Sequence, residues 1–209
     1  MSNKTATKSS TKAVSYAFID SQNLNLGVQK AGWKLDWQKF LHYLQKEHGV
    51  ERAYLFIGYM PENENLYEQL HELGYLIVLK PTLSMLNTEQ TAVDQDTGEG
   101  GDNTQKPTVK GNVDAELVLY AMKEMPNYQQ AIIVSGDGDF YCLAEYLANK
   151  KRLRHVMTPN WQYSSLLKPY EEYIIRIDQL RSKLEHYDRN RKKRKSLTKK
   201  RQPKNTKGQ

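Results

Sequence analysis

The chain contains a single cysteine, Cys142, in 209 residues. A lone thiol excludes an intramolecular disulfide framework and a cysteine-rich zinc site, and it suits a reducing compartment. Long apolar runs are missing too, and no stretch approaches the roughly 18 residues that a membrane helix requires. The opening segment, Met1 to Lys12, is rich in Ser, Thr and Lys without an apolar centre, so it does not read as a secretory signal. The five histidines show no His-Glu-x-x-His spacing. The absence of a phosphate-binding glycine loop and of a Gly-x-Gly-x-x-Gly turn argues against a nucleotide cofactor. A soluble, cytoplasmic protein with no membrane partner is expected.

What is present is divided by charge. The formal net charge is +7, but 13 of the 31 Lys and Arg residues lie between Arg181 and Lys207, beside only two acids, Glu185 and Asp188. Residues 1–180 hold 18 bases against 22 acids. An acidic body therefore carries a basic tail. The run containing Arg191, Lys192, Lys193, Arg194 and Lys195 cannot pack in a core and seeks a polyanion. Only Leu184 and Leu197 accompany these charges, so nucleic acid is a better match than a membrane surface. A merely solubilising tail is the plainer alternative.

Punctuation divides the chain into a disordered segment 1–13, a domain over 14–180 and a basic helix and tail over 181–209. Within the domain, residues 84–108 are rich in Gly, Asp, Thr and Gln and lack aromatics, which predicts a flexible loop. Short apolar runs at 14–19, 52–59, 75–79, 131–134, 153–157 and 173–177 read as strands. Helical spacing follows Asp36 as far as Gly49, Pro61 as far as Gly74, Asn112 to Met125, Phe140 to Asn149, and Gln179 onward. Continuous apolar strands alternating with amphipathic helices predict an α/β fold with a mostly parallel central sheet flanked by helices. Every strand then ends at one edge, where ligand sites of such sheets form.

Carboxylates gather at those ends. The first strand ends Phe18-Ile19-Asp20-Ser21-Gln22-Asn23, and the fourth ends Ile133-Val134-Ser135-Gly136-Asp137-Gly138-Asp139. Asp114 enters from the first turn of the helix after the long loop. Converging carboxylates repel and require protons or cations. All-oxygen donors suit Mg²⁺ or Mn²⁺, which activate water for attack on a phosphodiester. Each acid also has an ordinary use: Asp20 and Asp137 in turns, Asp114 at a helix start, Asp139 as a helix cap. Gly136 and Gly138 suit a sharp turn beside a ligand. An EF-hand reading fails, because twelve residues counted from Asp137 end at Ala148 rather than at a glutamate. An aspartyl-phosphatase reading lacks the usual Asp-x-Asp, since Ser21 and Gln22 follow Asp20.

Three stretches taken together resemble the signatures of NYN domains, closest to the LabA-like branch of the PIN-like nuclease superfamily. They are Phe18 to Leu24, Lys110-Gly111-Asn112-Val113-Asp114 and Ser135 to Phe140, with Ser164 to Leu167 resembling the family's final helix. The likeness spans about residues 14–177. It implies a metal-dependent ribonuclease with Asp20, Asp114, Asp137 and Asp139 as metal-binding, catalytic acids. Asn23 and Ser135 support them, Mg²⁺ or Mn²⁺ is the cofactor and RNA the partner. Where relatives carry a further acid along the Asp114 helix, this chain has Tyr120 and Ala121, with Glu116 nearby. The alternative is an inactive module of the same fold that binds RNA or ribonucleoprotein. A homodimer is compatible with the sequence.

Other side chains invite weaker expectations. Lys110 is placed to contact a phosphate. Lys150, Lys151, Arg152 and Arg154 form a basic cluster suited to guiding RNA. Trp33, Trp37 and Trp161 are candidates for base stacking, whereas Tyr16, Tyr54 and Tyr75 are expected to pack. Cys142, beside Leu143, is expected to be a small buried hydrophobe.

Overall fold

Strand β1, Ser15–Asp20, is buried along its whole length, as a strand flanked by neighbours and covered on both faces must be. The computed structural model describes residues 13–80 and 113–187. After β1 come α1 (Ser21–Lys30), α2 (Trp37–His48), β2 (Val50–Gly58), α3 (Glu64–Glu72) and β3 (Leu76–Lys80). The second half holds α4 (Asp114–Lys123), β4 (Gln130–Val134), α5 (Tyr141–Asn149), β5 (Leu153–Thr158) and β6 (Ile174–Arg176), then the short α6 (Arg181–Leu184). The six strands form one sheet in the order β3-β2-β1-β4-β5-β6. All five pairings are parallel.

This order places the reversal of winding between β1 and β4, the position at which open parallel sheets leave a crevice beyond their carboxyl ends. Helices cover both faces. Leu24, Phe40, Leu44, Leu55 and Ile132 share one core, while Phe18, Tyr54, Leu117, Tyr128 and Leu143 share the other.

Local chemistry explains the boundaries. Asp36 accepts the Lys39 N–H at 3.1 Å and caps α2, which Gly49 closes in the left-handed region at φ 61°. Tyr16, Tyr54 and Tyr75 are buried as expected, and the Tyr75 hydroxyl donates to the Trp37 carbonyl at 2.8 Å.

Several expectations change. Helix α1 starts directly after β1, where Asn23, Asn25 and Gly27 hide it because they are poor helix formers. Gly27 is required by packing, since a Cβ there would run into Pro159. Among the described residues, the segment after Gln179 makes the short helix Arg181–Leu184. It then pairs back through an antiparallel bridge between Leu35 and Glu185, with the His186 N–H donating to the Lys34 carbonyl at 2.8 Å. Trp33 is buried in the core and is withdrawn as a stacking residue, while Cys142 is exposed on α5 rather than buried. Among the described residues no helix is long and apolar enough to cross a membrane. The expectations for 1–12, for the 84–108 loop, for Lys110 and for Arg191 to Lys195 lie outside the described residues.

Candidate active site at the carboxyl ends of β1 and β4

Asp20 is at once the last residue of β1 and the cap of α1. Its Oδ1 accepts the Asn23 N–H at 3.0 Å, and its Oδ2 accepts the Ser135 hydroxyl at 3.3 Å. The same Ser135 Oγ accepts the Asp137 N–H at 3.1 Å. The Asn23 side chain reaches the other way, its Oδ1 accepting the Gly136 N–H at 2.9 Å. Asp137 then caps the short turn Gly138–Phe140 by accepting the Asp139 N–H at 3.1 Å. The junction of β1 with α1 and the loop after β4 are thereby tied into one frame, with Asn23 and Ser135 as its cross-members.

The electrostatics single out Asp20. It is 5% exposed, and its pKa is pushed up from an ordinary 3.8 to about 6. Burial is the largest cause; the negative charges of Asp114 and Asp137 raise it further, while the hydrogen bonds from Asn23 and Ser135 hold it down. Asp114 heads α4. Asp139 is exposed and is not among the charges acting on Asp20. The structure therefore gathers Asp20, Asp114 and Asp137 electrostatically, and leaves Asp139 at the margin.

This donor set fits Mg²⁺ or Mn²⁺ by its chemistry. The oxygens are hard, and a buried carboxyl raised by two neighbouring negative charges is relieved by a cation. Among the described residues no three His, Cys, Asp or Glu side chains form a ready cage. Mg²⁺ does not need one, because it keeps several waters and takes one or two carboxylates directly. Glu116, the nearest substitute for the further family acid, is paired with Lys80 at 3.1 Å.

The surroundings bear on two expectations. Neither Gly136 nor Gly138 adopts a positive φ. A Cβ at Gly138 would instead meet the Ser164 side chain, and Ser164 donates its N–H to the Gly136 carbonyl at 2.9 Å. The glycines thus serve close packing of the Ser164 stretch against the site. The cluster from Lys150 to Arg154 surrounds the amino end of β5, opposite the edge that carries the acids. Arg152 donates to the carbonyls of Met125 and Tyr128, and Arg154 donates to the Ser15 hydroxyl at 3.3 Å. This cluster therefore lies away from the acids.

Trp161 does lie on the acidic edge, in the loop after β5, and is 65% exposed. Its neighbour Asn160 anchors that loop by donating to the Gly27 carbonyl at 2.9 Å and accepting the Gln162 N–H at 2.7 Å. Missed by sequence reasoning were the side chains of Gln22 and Asn25 at the start of α1, which border a cavity with Trp37 beside the site. The unrecognised helix concealed them.

Known proteins resemble this chain in sequence and in fold. The chain is 26% identical over 176 residues to the "Low amplitude and bright protein LabA" of Synechococcus elongatus (strain ATCC 33912 / PCC 7942 / FACHB-805), covering 82% of this chain and 88% of that protein. The crystal structure of VPA0982, a protein of unknown function from Vibrio parahaemolyticus RIMD 2210633, shares the fold with a TM-score of 0.61 at 21% identity. That likeness covers 85% of this chain and 99% of that one. The NYN domain model matches residues 16–178, so the crevice between β1 and β4 lies wholly within the match, and the chain belongs to the NYN domain family.

Proposed function

We propose that the protein is a metal-dependent ribonuclease acting in the cytoplasm, with Asp20, Asp114, Asp137 and Asp139 as its acids. The observation that carries this reading is the Asp20 carboxyl, buried, hydrogen-bonded on both oxygens and flanked by two further negative charges. Such a group is costly for the fold to keep ionised, and perturbed carboxyls in a cleft mark functional sites.

Asp20, Asp114, Asp137 and Asp139 would hold Mg²⁺ or Mn²⁺ between them. The ion supplies Lewis-acid activation of water and neutralises charge on the phosphodiester. Asn23 and Ser135 fix the orientation of Asp20 and of the Asp137 loop. Trp161 offers a base a stacking face on the same edge. Tyr187 lies beneath Lys39 of α2, whose Nζ is 4.9 Å from the ring centre. The lysines and arginines of the basic tail add affinity through phosphates, and Lys110 contributes one more such contact.

Asp20→Asn is expected to abolish cleavage of single-stranded RNA in Mn²⁺ while leaving RNA affinity within about threefold, because the tail contacts are untouched. Undiminished metal-dependent cleavage by the purified variant contradicts the assignment. A second reading is an RNA-binding module of the same fold without catalysis, in which the basic run Arg191 to Lys195 supplies the affinity. Binding by the wild type with no cleavage under any divalent ion selects that reading.

A further inference from the structure

Near the carboxyl end of β1 lies a cavity of about 230 Å³ that none of the four acids lines. Ser21, which follows Asp20 by one residue, and Ile57 and Gly58, which follow Asp20's strand partner Phe56, are on its border. Trp37, Ile57, Leu66 and Tyr67 supply apolar walls, while Gln22, Asn25 and Asn63 supply side-chain amides. Among the described residues, no charged one lines it.

The walls are already set. The Tyr67 hydroxyl accepts the Met60 N–H at 3.0 Å, and Trp37 packs edge-on against Tyr75 with ring centres 5.9 Å apart. Leu66, on the outer turn of α3, is nevertheless 43% exposed, which leaves apolar surface uncovered at the cavity.

Size and chemistry select the occupant. The volume falls below the roughly 300–1,000 Å³ of pockets for drug-sized molecules, so it takes a single small ring system. The lining offers no cation to a phosphate and no carboxylate to a metal. Apolar and aromatic walls with amide groups suit a flat ligand whose edges donate and accept hydrogen bonds, as side-chain amides do with base edges. By contrast, a larger cavity of about 450 Å³ lies on the outer face of α2, bordered by Lys39, Lys46, Lys183, Asp36 and Glu47, and its mixed charges fit no such ring.

We infer that the cavity between α1, β2 and α3 is a nucleobase subsite, holding a base next to the phosphodiester presented to the acids. It thereby selects which bond is cut. The selection rests on the ribonuclease reading; the binding of a base does not.

The test titrates the full chain with adenosine, guanosine, cytidine and uridine, none of which carries a phosphate, while backbone amide NMR shifts are followed. At least one nucleoside is expected to shift Ser21, Gln22, Asn25 and Gly58 in the wild type and equally in Asp137→Asn. Gln22→Ala combined with Asn25→Ala alters two exposed side chains and is expected to weaken binding by about fivefold or more. Leu66→Glu, also on the surface, is expected to abolish it. Shifts confined to other regions, no shift with any nucleoside, or unchanged binding by both pocket variants overturns the proposal.

An RNA digestion separates the two readings. If the wild type cuts, the double variant is expected to change which bonds are cut, and an identical product pattern overturns the selecting role. Nucleoside binding in a protein that cuts nothing leaves the base subsite standing while the ribonuclease reading fails.

Discussion

The Ser135 hydroxyl donates to Asp20 Oδ2 at 3.3 Å while its oxygen accepts the Asp137 N–H at 3.1 Å. One side chain, 1% exposed, thus joins the end of β1 to the loop after β4. The two carboxylates it positions come from residues 117 apart in sequence, and only the parallel sheet order makes them neighbours.

Because that hydroxyl favours the ionised form of Asp20, Ser135→Ala is expected to raise the Asp20 pKa further. It leaves the Asp137 N–H without its acceptor and costs about 1–3 kcal/mol of stability. The pH midpoint of metal-dependent cleavage should move upward. A lowered rate with an unmoved midpoint contradicts the positioning role.

Asp20 itself sets a stability signature. Its folded pKa is raised from 3.8 to about 6, so the contribution of its neutral form is fully present below pH 3.8 and is lost as pH rises through about 6. In metal-free buffer, Asp20→Asn should therefore gain on the wild type by about 1–2 kcal/mol between pH 5 and pH 8. Urea unfolding at the two pH values checks this, and parallel behaviour of the two proteins contradicts it.

Metal binding should oppose that penalty. Mn²⁺ or Mg²⁺ at about 100 times its dissociation constant stabilises the wild type by about 2.7 kcal/mol, more readily above pH 6 than below. Asp20→Asn and Asp137→Asn should lose most of the effect. A thermal shift equal in all three proteins places the ion elsewhere.

Trp161→Ala removes an exposed ring from an anchored loop, so stability should change by less than about 0.5 kcal/mol. Loss of one stacked base costs about 1–3 kcal/mol of affinity for single-stranded RNA. Unchanged binding removes Trp161 from the RNA path.

The tail is best removed after Tyr187. A cut after Leu180 would strip Leu184, which is 1% exposed, and the Leu35–Glu185 bridge, and so confuse folding with binding. Cutting after Tyr187 should preserve thermal stability, weaken RNA binding and flatten its salt dependence, each lost phosphate contact lowering the slope by about 0.7. An unaltered slope assigns the tail no role in RNA binding.

The strands were legible because sheets covered on both faces demand unbroken apolar runs, as in Ala17-Phe18-Ile19 and Ile132-Ile133-Val134. Helix α1 was not, since only Leu24 and Val28 face the core and Gly27 answers to Pro159 across space. The order of the acids along the chain also pointed to one sheet edge. Their ranking did not follow from it: Asp20 is set apart by burial and by its neighbours' charges, which spacing does not encode. The side of the sheet on which a charge run falls is equally hidden in the spacing. The group from Lys150 to Arg154 is basic in composition, but the strand direction of β5 puts it at the far edge. The cavity beside Asp20 draws on α1, α2, β2 and α3 without any period that joins them.

The central claim is tested most directly by incubating single-stranded and structured RNAs with the wild type and Asp137→Asn, in Mn²⁺ or Mg²⁺ and again in EDTA. Cleavage by the wild type that disappears both in EDTA and in the variant is the predicted result. Cleavage that survives in Asp137→Asn, or RNA bound equally by both proteins and cut by neither, contradicts a nuclease centre at these carboxylates.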